Sequence, residues 1–143
     1  MAVYSASFTI DTKGNADIID ITPEVSDIVN SSGLSDGIVL VYVPGSTSAI
    51  TTIEYEPGLV HDLKAALERL APEGIVYQHN EKWHDGNGHS HIRASFIGQG
   101  ESFPLIDGKL LLGTWQQIIL VDMDNRPRYR KVFVQIYGEN SYS

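Results

Sequence analysis

Eight consecutive residues, His84-Asp85-Gly86-Asn87-Gly88-His89-Ser90-His91, hold three of the chain's five histidines together with a carboxylate and a carboxamide, and His79 stands just upstream. An imidazole with a pKa near ~6.5 is largely neutral at cellular pH and free to coordinate a metal. A zinc, magnesium or manganese ion could take His84, His89 and His91 and keep an open position for water or substrate. The spacing fits none of the common zinc-finger or zincin patterns, so it does not choose the metal. Asp85 and Asn87 would orient the loop or the ligand imidazoles. A solvated glycine-rich loop with coincident histidines is the other reading of the same residues.

The residues after His89 decide how these groups are presented. Ile92, Ala94 and Phe96 alternate with His91, Arg93 and Ser95, and side chains two apart on a strand share a face. The alternation predicts a strand over residues 89–97 with His89, His91, Arg93 and Ser95 in one row. A metal and an anion would then sit side by side, with the Arg93 guanidinium gripping phosphate oxygens in two-point fashion.

Three further clusters carry polar chemistry. Ser46, Thr47 and Ser48 follow Gly45 in a turn between apolar segments, where backbone N–H groups can cradle an anion. No lysine follows the hydroxyls, so this is no P-loop, and an ordinary polar turn reads equally well. Glu54 and Glu56 share a face if their strand persists, and such a pair can retain a proton or ligate a divalent ion. Helix capping explains Glu56 equally well, which leaves Glu54 as the site candidate. Lys109 precedes Thr114-Trp115-Gln116-Gln117, whose amides and hydroxyl would line a pocket or bridge subunits. His61, beside Asp62 and Lys64, reads as part of a solvated helix face.

Composition narrows the function classes. A chain of 143 residues is most simply one domain. With no cysteine it has neither a thiolate zinc site nor a disulfide, in keeping with a cytoplasmic protein. A formal charge of -8 argues against a general nucleic-acid binder. No segment approaches the roughly 18 apolar residues that span a bilayer, so no membrane partner is expected.

The elements that must position these groups follow from periodicity. Residues 3–11 read as a strand with Ala6, Phe8 and Ile10 on one face, and residues 16–21 as its hairpin partner after Lys13-Gly14-Asn15. Thr22-Pro23-Glu24 starts a short helix, with Thr22 as N-cap, that ends near Gly33. The β-branched run over 38–43 predicts a strand buried on both faces, and residues 47–55 another strand. Pro57 opens a helix whose stripe is Leu59, Val60, Leu63, Ala66, Leu67 and Leu70, stopped by Pro72 and Gly74. Short strands are expected at 75–77, 115–123 and 129–137, the last two as a hairpin turning at Asp124-Asn125-Arg126-Pro127. Strands outnumber helices and segregate from them, which favours an α+β fold.

Taken jointly, Asp20-Ile21-Thr22, the Ser46-Thr47-Ser48-Ala49 turn, Glu54 with Glu56-Pro57-Gly58, the segment from His84 to His91, and Asp107-Gly108-Lys109 through Gly113-Thr114-Trp115-Gln116-Gln117 resemble the YjbQ family over nearly the whole chain. Many members of that family have His-Thr-Ser where this chain has Ser46-Thr47-Ser48. The resemblance implies one α+β domain with a strongly curved, mainly antiparallel sheet and two main helices, assembled as a homotrimer with sites near subunit boundaries. It also implies a thiamine-phosphate synthase-like transfer that joins a hydroxymethylpyrimidine diphosphate to a thiazole phosphate and releases pyrophosphate. Glu54, Asp85, Asn87 and Arg93 would then act in catalysis. Ser46, Thr47, Ser48, Ser95, Lys109, Thr114, Trp115 and Gln116 would meet a small phosphorylated substrate, with Trp115 or Tyr77 stacking on its ring. A metal-dependent hydrolase and a non-catalytic trimeric metal- or metabolite-binding module remain alternatives.

Overall fold

The computed structural model describes residues 1–140. All strand pairing in it is antiparallel, in two sheets. The larger runs in the order β1 (Ala2–Thr12), β8 (Arg128–Asn140), β3 (Leu34–Tyr42), β5 (Gly100–Ile106) and β6 (Lys109–Leu110). The smaller is β2 (Asp17–Asp20), β7 (Gln117–Asp122) and β4 (Ser48–Ile53). Four helices accompany them among the described residues: α1 (Thr22–Ser32), α2 (Pro57–Leu70), α3 (Gln78–Trp83) and α4 (Gly88–Ile97). The α+β class holds, with two sheets in place of one and two helices beyond the expected pair.

Layering follows from side-chain alternation. Val39, Val41, Val132, Val134, Ile136, Phe103 and Leu105 turn inward from the large sheet and meet Ile50, Ile118 and Leu120 of the small sheet, with Val25 and Val29 of α1 closing that core. The other face of the small sheet, Ala49, Ile119, Val121 and Ile18, packs on Leu67 of α2 and Ala94 of α4. The strand apolar on both faces is therefore β7, the centre of the small sheet, whose residues Ile118 to Val121 are fully buried. β3 instead alternates, burying Val39 and Val41 and leaving Ile38, Leu40 and Tyr42 exposed, which corrects the expectation for 38–43.

Two expected hairpins are crossovers between sheets. β1 pairs with β8 and β2 with β7, although β1 and β2 are neighbours in sequence. Gly14, Asn15 and Ala16 all have positive φ (79°, 55° and 61°), which swings the chain from one sheet to the other. The Asp124–Pro127 turn makes the same change between β7 and β8. The two turns lock together through Asn15 N–H to the Asp124 carbonyl at 2.6 Å, and Gly14 lies so close that a Cβ there would be 2.5 Å from the Arg126 carbonyl oxygen.

Helix ends follow local chemistry. Glu56 caps α2 by accepting from Gly58 N–H (2.7 Å) and Leu59 N–H (3.0 Å), with Pro57 preset for the first turn. At α1 the N-cap is Ile21, and Thr22 instead accepts the Ile118 N–H of β7 at 2.8 Å. Gly33 ends α1 in the left-handed region. Residues 75–77 form no strand, and residues 88–97 form α4 in place of the strand expected there.

Candidate functional site

Chain reversal between β7 and β8 brings two carboxylates and two guanidiniums together. Asp122 and Asp124 have fully buried side chains, and such charges persist in a low-dielectric interior only when matched. Arg130 supplies the match for Asp122 through Nε (2.8 Å) and Nη2 (2.9 Å), with Thr12 donating to the same carboxylate. Arg128 grips Asp124 through Nε (2.8 Å) and Nη2 (2.7 Å). Thr47 bridges the two pairs, accepting from Arg130 Nη2 (2.7 Å) and donating to Asp124 (3.2 Å). Burial alone would raise the Asp124 pKa. Hydrogen bonds from Arg128, the Asn125 N–H and Asn87, with the Arg128 charge, outweigh it and hold the group below its ordinary value.

Above this ionic floor opens a cleft of about 410 Å³, bounded by the Gly45-Ser46-Thr47 turn, His79, Trp83, Asp85, Asn87 and His91. Helix α3 contributes His79 and Trp83, and the loop into α4 contributes Asp85 and Asn87. His79 Nε2 lies 3.3 Å from an Asp85 carboxylate oxygen and 3.0 Å from the Asn87 carboxamide. Asn87 reaches Asp124 at 3.3 Å in one amide orientation and Asp85 at 2.9 Å in the other. The His79 and His91 rings are tilted against each other with centroids 4.4 Å apart. Burial, then the neighbouring His79, lower the His91 pKa, against the opposing pull of Asp85 and Asp124. The arrangement offers directional N–H donors on one side and a carboxylate-backed imidazole on the other.

A family model described as UPF0047 protein YjbQ-like matches residues 6–139. The chain belongs to the YjbQ-like UPF0047 family. A UPF0047 protein of Methanothermobacter thermautotrophicus is 38% identical over 97% of this chain and 95% of its own length, and Bacillus subtilis YugU is 30% identical over 90% and 96%. A crystal structure of a YbjQ-like protein of unknown function from Sulfolobus solfataricus superposes with a TM-score of 0.92 at 37% identity, covering 96% of this chain and 99% of that one. A hypothetical protein from Aeropyrum pernix gives 0.89 at 34%, with 95% and 99% covered.

Membership in the UPF0047 family does not carry the activity that the resemblance implied. The relatives are named as UPF0047 proteins without an activity, and the Sulfolobus structure is described as of unknown function. The expected thiamine-phosphate synthase reaction, and the metal-assisted chemistry built on it, are withdrawn.

The UPF0047 fold also redistributes the expected residues. Because residues 88–97 are helical, the row His89, His91, Arg93, Ser95 does not exist. His91 reaches the cleft, whereas His89 is buried near Tyr77 with its Nδ1 unpartnered, and His84 ends α3 in a left-handed conformation, exposed. Among the described residues no three His, Asp or Glu side chains are placed to hold a metal ion, and the residues expected as ligands point to different surroundings. Arg93 is buried, donating to the Ala71 carbonyl (3.0 Å) and to the exposed Glu68 carboxylate (2.6 Å), so its guanidinium is tied up away from the cleft lining. Ser95 is exposed and returns its hydroxyl to the His91 carbonyl.

Of the turn residues, Ser46 and Thr47 line the cleft, and Ser48 is fully buried at the start of β4. Glu54 and Trp115 share a separate hollow with Asp20, Tyr55 and Glu56. Lys109 lines another beside α1. Thr114 is exposed, and Gln116 spends its amide on Gly113 N–H and the Thr52 hydroxyl. Sequence reasoning missed Asp122, Asp124, Arg128 and Arg130. Part of their signal was available: Arg128 and Arg130 are two apart on a strand and so share a face, and Asp122 and Asp124 stand at the end of the preceding strand and in the turn after it.

Proposed function

We propose that the cleft binds a small phosphorylated metabolite and that His79, backed by Asp85, exchanges a proton with it. The observation that supports this reading is the pair Arg128 and Arg130, fixed side by side on β8 beneath His79 and His91. Each guanidinium spends Nε and Nη2 on a buried carboxylate, which orients the group in advance. Gly45 keeps the approach to Arg130 Nη1 open: a Cβ there would lie 3.3 Å from that nitrogen. Since each arginine is matched by an aspartate, the pairs bring directional donors more than net charge. Attraction for an anion then grows as His91, whose pKa burial and the neighbouring His79 lower, gains a proton, so affinity rises as pH falls below about 6.5. Calorimetric titration with inorganic phosphate and pyrophosphate tests this. Binding should strengthen from pH 7 to pH 5 and weaken about tenfold in Arg128→Lys, which keeps the charge and loses the planar fork. No binding at any pH would sink the reading.

We propose further that the protein assembles as a homotrimer through the open face of the large sheet. Val3, Ile38, Leu40, Tyr42, Phe133 and Tyr137 are all substantially exposed there. They are contiguous, because Tyr137 pairs with both Val3 and Ile38, and Phe133 with Tyr42. An apolar sheet face of this kind favours a partner surface over water. The choice of three copies rests on the family resemblance. A monomeric mass by light scattering at micromolar protein would refute the assembly.

A further inference from the structure

Asp85 hangs between two hinges. His84 has φ 59° and Gly86 φ 69°, so the main chain turns through the left-handed region on either side of the carboxylate that backs His79. Its side chain is about half exposed, and packing does little to hold it. The flanking loop is anchored upstream and downstream, where Asn80 accepts the Gly88 N–H at 2.9 Å through its side chain and the His84 N–H at 2.8 Å through its carbonyl. Between those anchors, the one hydrogen bond made to the Asp85 main chain among the described residues comes from Asn125 Nδ2, at 2.8 Å to the Asp85 carbonyl. Asn125 is itself fixed, since its N–H donates to Asp124 Oδ1 at 2.8 Å. The ionic floor of the cleft thus reaches the Asp85 main chain through one exposed asparagine, while the buried Asn87 carboxamide links the floor to His79 and the Asp85 side chain.

We infer that Asn125 is a positioning residue: it holds Asp85 on His79 Nε2 and thereby selects which ring nitrogen of His79 carries the proton. A carboxylate facing one imidazole nitrogen favours the tautomer protonated there and leaves the lone pair on the other. Without the clasp, the two hinges let Asp85 swing away, and Asn87, the other neighbour of Nε2, sets the ring alone. This deepens the reading of the cleft and rests on it for its consequence to a ligand, yet the clasp itself is testable without one.

The test is imidazole 15N chemical shifts of His79 at alkaline pH, which report the tautomer ratio of the neutral ring. Asn125→Ala should move that ratio about threefold or more toward the value found in Asp85→Ala, the worth of one weakened hydrogen bond. Combining the two substitutions should add nothing further. Asn125 is exposed, so the fold should survive, and Asn125→Ser provides a second variant with the same expectation. A wild-type ratio in both Asn125 variants, or a shift that adds to that of Asp85→Ala, would overturn the inference. If phosphate fails to bind while the tautomer shifts as expected, the binding reading falls and the clasp stands.

Discussion

At the scale of single residues, burial reassigns groups that composition alone makes reactive. Arg93 looked like a phosphate grip, but its donors are committed to Ala71 and Glu68. Arg93→Ala should therefore cost about 1–3 kcal/mol in urea unfolding, because it strands a buried carbonyl, and leave phosphate affinity unchanged. A weakened affinity with unchanged stability would return Arg93 to the site. His89 carries a second expectation. Burial, then the Arg93 charge, lower its pKa from 6.5, with Glu73, Glu68 and Asp124 opposing. The unfolded chain therefore takes up the proton first. The neutral ring contributes stability that is complete above about pH 6.5 and is lost as pH falls through the lower folded-state value. Melting temperature should drop from pH 7.5 to pH 5, and His89→Leu should make that drop shallower; an identical slope in calorimetry would exclude His89 as its source. Of the cleft itself, Ser46, Thr47, Asp85, Asn87 and His91 were legible in the sequence, because loops rich in Gly, Asn, Asp and Ser advertise exposed polar groups. Asp122, Asp124 and the arginines were not singled out, because their meaning comes from pairing across a turn between two sheets.

Elements were legible where one face is apolar and the other polar. Helix α2 buries Leu67 and packs Val60 and Leu63 inward, though Leu59 and Leu70 at the ends of the expected stripe are exposed, and its cap and stop lie where Glu56 and Pro72 place them. Helix α4 was misread for a physical reason: its buried positions are His89, Ser90, Arg93 and Ala94, while Ile92 and Phe96 face outward. A helix that buries polar groups and exposes apolar ones gives a false two-residue alternation. Its start is set by contact, since a Cβ on Gly88 would lie 2.6 Å from Tyr77 Cβ. Gly88→Ala should push α4 off α3 and cost about 1–3 kcal/mol by overpacking, with loss of the Tyr77 to His89 ring proximity in NMR spectra. An unperturbed spectrum and unchanged midpoint would show that the helix can shift freely. The crossovers after β1 and β7 defeated sequence reading for a different reason: turn residues announce a reversal but not which sheet receives the next strand.

On the scale of the whole molecule, no helix among the described residues is long and apolar enough to cross a membrane, and the main unpartnered apolar area is the open sheet face. Phe133→Glu places a charge within it, opposite Tyr42 on β3 and Ser7 on β1. If the proposed homotrimer forms through this face, sedimentation should show smaller species for the variant than for the wild type, with little change in circular dichroism. An oligomeric mass unchanged by the substitution would move the interface elsewhere.

The order in which the strands are made has a consequence of its own. β8 lies between β1 and β3 and pairs with both, yet it comes after every other element of the described chain. As the polypeptide leaves the ribosome, β1 and β3 must wait for it with bare edges, and the sites of Arg128 and Arg130 are missing until it arrives. Of the described elements β8 is therefore the last to be made, and it closes like a zipper down the middle of the sheet. Native contacts of such wide sequence separation form slowly and leave sticky intermediates exposed. A nascent chain stalled before residue 128 should remain protease-sensitive, and release of β8 should confer the fold and the cleft in one step.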